Sequence, residues 1–245
     1  MFTRMKWVFI AATLLLSTVP GWSQDANLRR LVRFQIKPDM IAEFLAAVEA
    51  DAKALKKMNH PRRQTWWQST TGPSEVILVR YYKSFADMDE SATTLSGEVV
   101  AARSRIMKCI SSQETVVDEL IPEASVRPDM NYMPKYVRIL RSTVKPDKMA
   151  EYEAIVKTEV APVLKKAQVK LYMASRVRYG QTMNQFATVT GMDSMAAFDE
   201  TLPLEKAMGK AAYDKLVARI YPLLTGAETT IYRSLPAQNY LPEAK

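Results

Sequence analysis

Apolar positions along the chain alternate first as strands do and then recur at helical spacing, and the whole succession is written twice. Ile41, Phe44, Val48, Ala52 and Leu55 fall at i, i+3, i+7, i+11 and i+14, the stripe of an amphipathic helix with one buried face. Met149, Tyr152, Val156, Val160 and Val163 repeat that stripe 108 positions later. Lys37-Pro38-Asp39 and Lys145-Pro146-Asp147 mark the two helix entries. Proline there loses no hydrogen bond, and the acid sits near the positive end of the helix. Short strands precede the helices at 31–36 and 139–144. Strand pairs at 64–69 with 76–82, and 171–179 with 185–190, flank hairpin turns expected at Gly72 and Gly180. Ser84 followed by Asp87 has the form of a helix N-cap, and 194–200 repeats the segment 84–90. Helical stretches at 98–110 and 204–224 lead into closing strands at 114–120 and 228–235.

Each copy therefore reads β-α-β-β-α-β, an α+β ferredoxin-like unit with helices on one face of an antiparallel sheet. The copies span 29–120 and 136–235. Residues 121–135, with Pro122, Pro128 and Pro134 and no periodicity, form a linker, and 236–245 a C-terminal tail. A sheet covered on one face needs a partner for the other. Two copies in one chain supply it to each other, so the expectation is an intrachain pseudo-dimer packed sheet to sheet as a barrel.

Residues 1–23 stand outside this repeat. Arg4 and Lys6 precede the apolar run from Trp7 to Leu16, Pro20 follows, and the small residues Gly21 and Ser23 suit a cleavage site. The segment reads as a signal peptide and is too short for a bilayer span, which needs about twenty apolar residues. The mature protein is expected to be exported, periplasmic or secreted, with no membrane span. Without Arg4 and Lys6 the 34 basic residues fall to 32 against 26 acids, leaving +6. In an exported chain this excess does not point to nucleic acid, and Lys53, Lys56 and Lys57 complement a helix C-terminus. One cysteine excludes a disulfide framework, and one histidine excludes a multi-histidine metal site. No Gly-rich phosphate loop, G-x-S-x-G elbow or H-E-x-x-H is present. Neither metal nor cofactor is expected.

The element order, the Lys-Pro-Asp entry and the turn Ser84-Phe85-Ala86-Asp87-Met88 together resemble the dimeric α+β barrel superfamily, which includes antibiotic biosynthesis monooxygenase-like, NIPSNAP-like and EthD-like groups. The resemblance covers both copies and implies a fused form of the usual homodimer, hence a monomer or low-order homo-oligomer. It also implies ligand pockets between each sheet and its helices. Cofactor-free monooxygenases, isomerases and haem-handling enzymes occur in that superfamily, as do members without known activity.

Candidate chemistry centres on such a pocket. Trp66 and Trp67 are adjacent on a strand, so one faces the helices and the other the barrel interior. Arg80 and Tyr82 share a strand face, and Tyr172 and Arg176 lie along the second strand of the second copy. Trp, Tyr and Arg together suit an aromatic or acidic small molecule through stacking and charge-assisted hydrogen bonds. Core filling explains the two tryptophans as well, because the second copy has Ala174 and Ser175 in their places. Arg33 and Arg141, alike in both copies, are candidates for symmetric ion pairs across the interface. His60, beside Pro61, reads as a surface loop residue, and Cys109 as a small buried hydrophobe. Three functions follow as expectations: binding of a small aromatic or acidic molecule, cofactor-independent oxygenation or isomerisation in the same pocket, or a non-catalytic envelope scaffold.

Overall fold

The computed structural model describes residues 27–89, 95–126 and 132–242; the proposed signal peptide lies outside them. The first repeat runs β1 (Leu28–Ile36), α1 (Ile41–Lys57), β2 (Gln64–Ser69), β3 (Glu75–Tyr82), α2 (Phe85–Asp89), α3 (Gly97–Cys109) and β4 (Ile110–Leu120). The second runs β5 (Tyr136–Val144), α4 (Met149–Ile155), α5 (Ala161–Lys166), β6 (Tyr172–Tyr179), β7 (Gln185–Met192), α6 (Pro203–Met208), α7 (Lys210–Ile220) and β8 (Leu224–Ser234). The eight strands close into one antiparallel barrel in the order β1-β3-β2-β8-β5-β7-β6-β4. The expected intrachain pseudo-dimer is thus the observed architecture. Two equivalent seams join the repeats: Trp67 pairs with Ser234 across β2 and β8, and Leu120 with Ser175 across β4 and β6. Closure leaves the barrel without an open edge strand.

Strand alternation sorts side chains into a barrel interior and two helix-facing layers. Leu31, Trp67, Ile77, Val79, Val137, Ile139, Met173 and Val189 pack inside the barrel. Val32, Phe34, Phe44, Trp66 and Leu78 form the first repeat's sheet–helix core, and Tyr152, Ile155, Val156, Tyr172, Ala174 and Phe186 belong to the second's.

Two helices depart from the expected continuous stretches. The second repeat's first helix is interrupted by a π turn at Val156–Val160, directly before Pro162. Proline has no N–H for the i−4 carbonyl, and the wider turn accommodates the loss. The stretch expected at 204–224 breaks at Gly209, whose φ of 81° belongs to the region glycine enters without penalty. Gly180 is constrained more tightly: a Cβ there would stand 2.1 Å from the Thr115 carbonyl oxygen, so the turn passes directly against β4.

The linker and the tail contain equivalent arms. After β4, a short 3-10 turn at Pro122–Ala124 leads to Val126, which bridges to Tyr172. After β8, a turn at Pro236–Gln238 leads to Tyr240, which bridges to Gln64. Each arm leaves its own repeat and lengthens the partner's sheet. The Ser125 hydroxyl accepts from the Ala174 N–H at 3.0 Å, and the Asn239 side-chain Oδ1 accepts from the Trp66 N–H at 2.6 Å. The tail also corrects the expectation for His60. Tyr240 donates its hydroxyl to the His60 carbonyl at 2.6 Å, and the imidazole is 8% exposed. Burial, with Arg80, Arg103 and Arg62 nearby, lowers its pKa.

Candidate functional site

The two sheet–helix layers have the same scaffold and different contents. In the first repeat Phe34, Phe44 and Trp66 fill the space: Phe34 stacks on Trp66 at 5.6 Å, and Phe44 meets the indole edge-on at 6.0 Å. Strand register identifies the counterparts. Phe34 pairs with Val76 as Ser142 pairs with Phe186, so Ser142 stands for Phe34 and Phe186 for Val76. Trp66 corresponds to Ala174 by the same pairing logic. Phe186 restores the ring lost at Ser142, packing 5.0 Å from Tyr152, but no residue replaces the indole of Trp66. A cavity of about 370 Å³ opens there.

This cavity lies between the helix-facing side of β5–β8 and the helices α4–α5 and α6–α7. Its apolar wall includes Val156, Val160, Leu164, Leu204, Leu216 and Ile220. Its polar groups are hydroxyls, from Ser142, Tyr152, Tyr172, Thr188, Thr190, Tyr213, Tyr221 and Thr229, and one guanidinium, Arg138. Tyr152 donates to the Ser142 hydroxyl at 3.3 Å. Burial raises the pKa of Tyr152, while the Ser142 contact pulls the other way. Burial likewise raises Tyr172, with Tyr152 adding to it. Both phenols therefore stay protonated at neutral pH and offer O–H donors. Arg138 is half-buried, and its side chain makes no hydrogen bond or ion pair with the described residues, so its guanidinium donors are open to a guest. No carboxylate or imidazole lines this wall. The arrangement can hold a mainly apolar molecule and orient one oxygen-bearing end on Arg138.

The candidate residues from the sequence are distributed over several sites. Tyr172 lines the large cavity. Trp66 is packed into the first repeat's aromatic core, 2% exposed. Trp67 faces the barrel interior, where its indole donates to Thr65 Oγ1 at 3.2 Å. With Arg141 it lines a small internal cavity of about 70 Å³. Arg80 donates to Gln64 Oε1 at 2.9 and 3.2 Å, and Tyr82 lies under the Arg62 guanidinium at 4.9 Å. Arg176 is held by Glu119 at 2.9 Å on the β4–β6 seam.

Arg33 and Arg141 do meet across the interface, but on one shared carboxylate. Arg33 Nε donates to Glu75 at 3.0 Å, and Arg141 Nη2 lies 3.8 Å from the same group. Tyr232 donates to Glu75 and accepts from Arg141 at 2.8 Å. Burial first, then the Glu75 contact, pushes the Tyr232 pKa up to about 12 against the pull of Arg141. The symmetric second carboxylate is missing because Gln185 occupies the position of Glu75.

Arg138, Ser142, Tyr152 and Ala174 were not singled out as site residues from sequence. The signal was present in the repeat alignment, where Phe34 and Trp66 become Ser142 and Ala174. It marks a vacated volume instead of a chemical group, so a search for reactive side chains passes over it.

Among the described residues no helix is long and apolar enough to cross a membrane, and no three His, Cys, Asp or Glu residues are grouped to hold a metal ion. Cys109 is fully buried, its thiol directed at the Arg105 carbonyl at 3.3 Å.

The family model for antibiotic biosynthesis monooxygenases matches residues 28–95, from β1 to the approach to α3. Comparison with curated proteins gives no match. Solved structures similar to this chain include a proposed monooxygenase from Lactobacillus acidophilus NCFM, with TM-score 0.63, 8% identity, and coverage of 90% of this chain and 98% of that one. A proposed monooxygenase from Fusobacterium nucleatum subsp. nucleatum ATCC 25586 has TM-score 0.63 and 10% identity, covering 90% and 96%. An anthrone oxidase-like protein has TM-score 0.57 and 13% identity, covering 86% and 92%. At these identities the likeness is one of fold. With its closed eight-stranded barrel built from two ferredoxin-like repeats, the chain has a dimeric α+β barrel fold, with both halves carried in one polypeptide.

Proposed function

We propose that the protein binds a small, mainly apolar aromatic molecule with an acidic or carbonyl oxygen, in the cavity of the second repeat. The observation that carries this reading is the 370 Å³ space whose one charged lining group, Arg138, has no described protein partner. That volume falls in the range of about 300–1,000 Å³ common for small-molecule sites. A guanidinium against an apolar wall favours an anionic or strongly polarised oxygen, because its charge-assisted hydrogen bonds are strong where water is sparse.

Calorimetric titration with 2-naphthoate tests the reading. Saturable one-to-one binding is expected. Arg138→Gln should weaken it at least tenfold, equal to about 1.4 kcal/mol. Ala174→Trp returns the first repeat's indole to the cavity and should abolish binding while the protein stays folded. Unaltered affinity in Ala174→Trp would place the ligand elsewhere and remove the proposal.

A cofactor-independent oxygenase or isomerase would use the same cavity, with Arg138 stabilising the anionic, electron-rich form of a phenolic or enolic substrate. The first repeat's match to the monooxygenase family favours including it. Oxygen uptake and product analysis with hydroxylated aromatics separate turnover from binding alone. Export is also part of the proposal, on the strength of residues 1–23. Intact mass of the protein recovered from the envelope or medium should show the chain starting after Ser23, and a retained Met1 would refute it.

A further inference from the structure

The first repeat, whose apolar volume is filled, carries a different feature at the corresponding end of its sheet. Arg30 on β1 stands directly opposite Arg80 on β3, and Arg80 directly opposite Gln64 on β2. These positions share the helix-facing side. Their counterparts in the second repeat are Arg138, Thr190 and Tyr172, part of the large cavity's wall. From α3, Arg103 Nε donates to Asp51 Oδ1 at 3.1 Å, and Gln64 Nε2 donates to Asp51 Oδ2 at 2.9 Å. Arg80 reaches the neutral Gln64 side chain and the Tyr82 phenol, and no carboxylate among the described residues bonds to it. The Arg30 side chain makes no hydrogen bond or ion pair with the described residues.

The charge does not balance locally. Among the described residues, Arg80 and Arg103 share the carboxylate of Asp51 and Arg30 stands opposite Arg80, three guanidiniums for one acid, leaving two positive charges. The neighbouring Arg62 is already matched by Asp87 at 2.8 Å. Like charges directly opposed across strands are destabilising. Burial first, with Arg103 adding to it, lowers the Arg80 pKa against the pull of Tyr82 and Asp51; burial, with Arg80, Arg103 and Arg62 adding to it, lowers His60. An unfilled positive site is costly to maintain in this half-buried position unless an anion occupies it. Guanidinium donors are also forked, which suits the several oxygens of one oxyanion group.

We infer that Arg30, Arg80 and Arg103 form an oxyanion site in the first repeat, fitted to a dianionic group such as a phosphate monoester on a small molecule. The site is independent of the second repeat's cavity. One chain would then carry two sites on matching scaffolds, sharing the arginine position of Arg30 and Arg138 and differing in the rings and charges around it.

The test is calorimetric titration at constant ionic strength with inorganic phosphate, glycerol phosphate and acetate, with phosphatidylglycerol vesicles as a separate arm. Saturable binding of phosphate and glycerol phosphate is expected, at least tenfold tighter than acetate. Arg30→Gln removes no described contact, so it should leave or raise the melting temperature of the free protein while weakening phosphate binding at least tenfold. Arg103→Gln should weaken it likewise. Unchanged 2-naphthoate binding in Arg30→Gln would confirm that the fold and the other site are intact. Absence of saturable phosphate binding, equal affinity in Arg30→Gln, or binding to vesicles alone would overturn the inference.

Discussion

Trp66→Ala is expected to lower the free energy of unfolding by about 3–5 kcal/mol, the range for removing a large buried aromatic. The indole is 2% exposed and held between Phe34 at 5.6 Å and Phe44 at 6.0 Å. Its loss removes apolar burial and two ring contacts, and leaves a void that the flanking rings cannot close without moving. Trp66→Phe should cost much less. The indole Nε1–H is buried without a partner among the described residues, so phenylalanine removes an unsatisfied donor together with the volume. Urea denaturation of the three proteins gives the comparison. A loss below about 1 kcal/mol for Trp66→Ala would mean that this core is looser than its geometry shows. The second repeat carries alanine at the equivalent position, Ala174, and keeps its fold with a cavity in the same sheet–helix layer.

Much of the architecture was legible because it depends on local periodicity and on duplication. The stripe from Ile41 to Leu55 became α1, and its repeat placed the second domain. An uncovered sheet face in each copy then required the two to meet. Features resting on single residues within that pattern were harder to see. Pro162 and Gly209 interrupt helices whose apolar stripes continue across them, so periodicity alone runs through both breaks. His60 is buried by Tyr240, which is 180 positions away in sequence and belongs to an arm with no periodic signal. The candidate site was legible only in part for a similar reason. Tyr172 could be found by residue type, whereas the cavity beside it depends on which ring is absent opposite it. Comparing the repeats position by position recovers that information, since Trp66 and Ala174 occupy one place on one scaffold.

The same comparison sets the second large effect, at the seams. On the β4–β6 side Arg29 Nε donates to Asp118 Oδ1 at 3.0 Å, and Ser175 Oγ bonds both partners, at 2.8 Å to Arg29 and 2.7 Å to Asp118. Both charged side chains are at most 5% exposed. Burial by itself would lower the Arg29 pKa, but the Asp118 carboxylate outweighs it and holds the guanidinium above its ordinary value. On the β2–β8 side the corresponding residues are Val137, Tyr232 and Trp67, an apolar set with one hydroxyl. One fold therefore closes the same junction by two kinds of chemistry. Asp118→Ala is expected to destabilise the protein by about 3–5 kcal/mol, because it strands a buried guanidinium without its counter-charge. Arg29→Met with Asp118→Leu should recover most of that loss, since neither charge then needs to be desolvated. A double-mutant cycle on unfolding free energies measures the difference. If the double variant were as unstable as Asp118→Ala, the seam would depend on the ion pair itself. Near-native stability would show that this junction needs a filled volume, as the opposite seam already does with Val137, Tyr232 and Trp67.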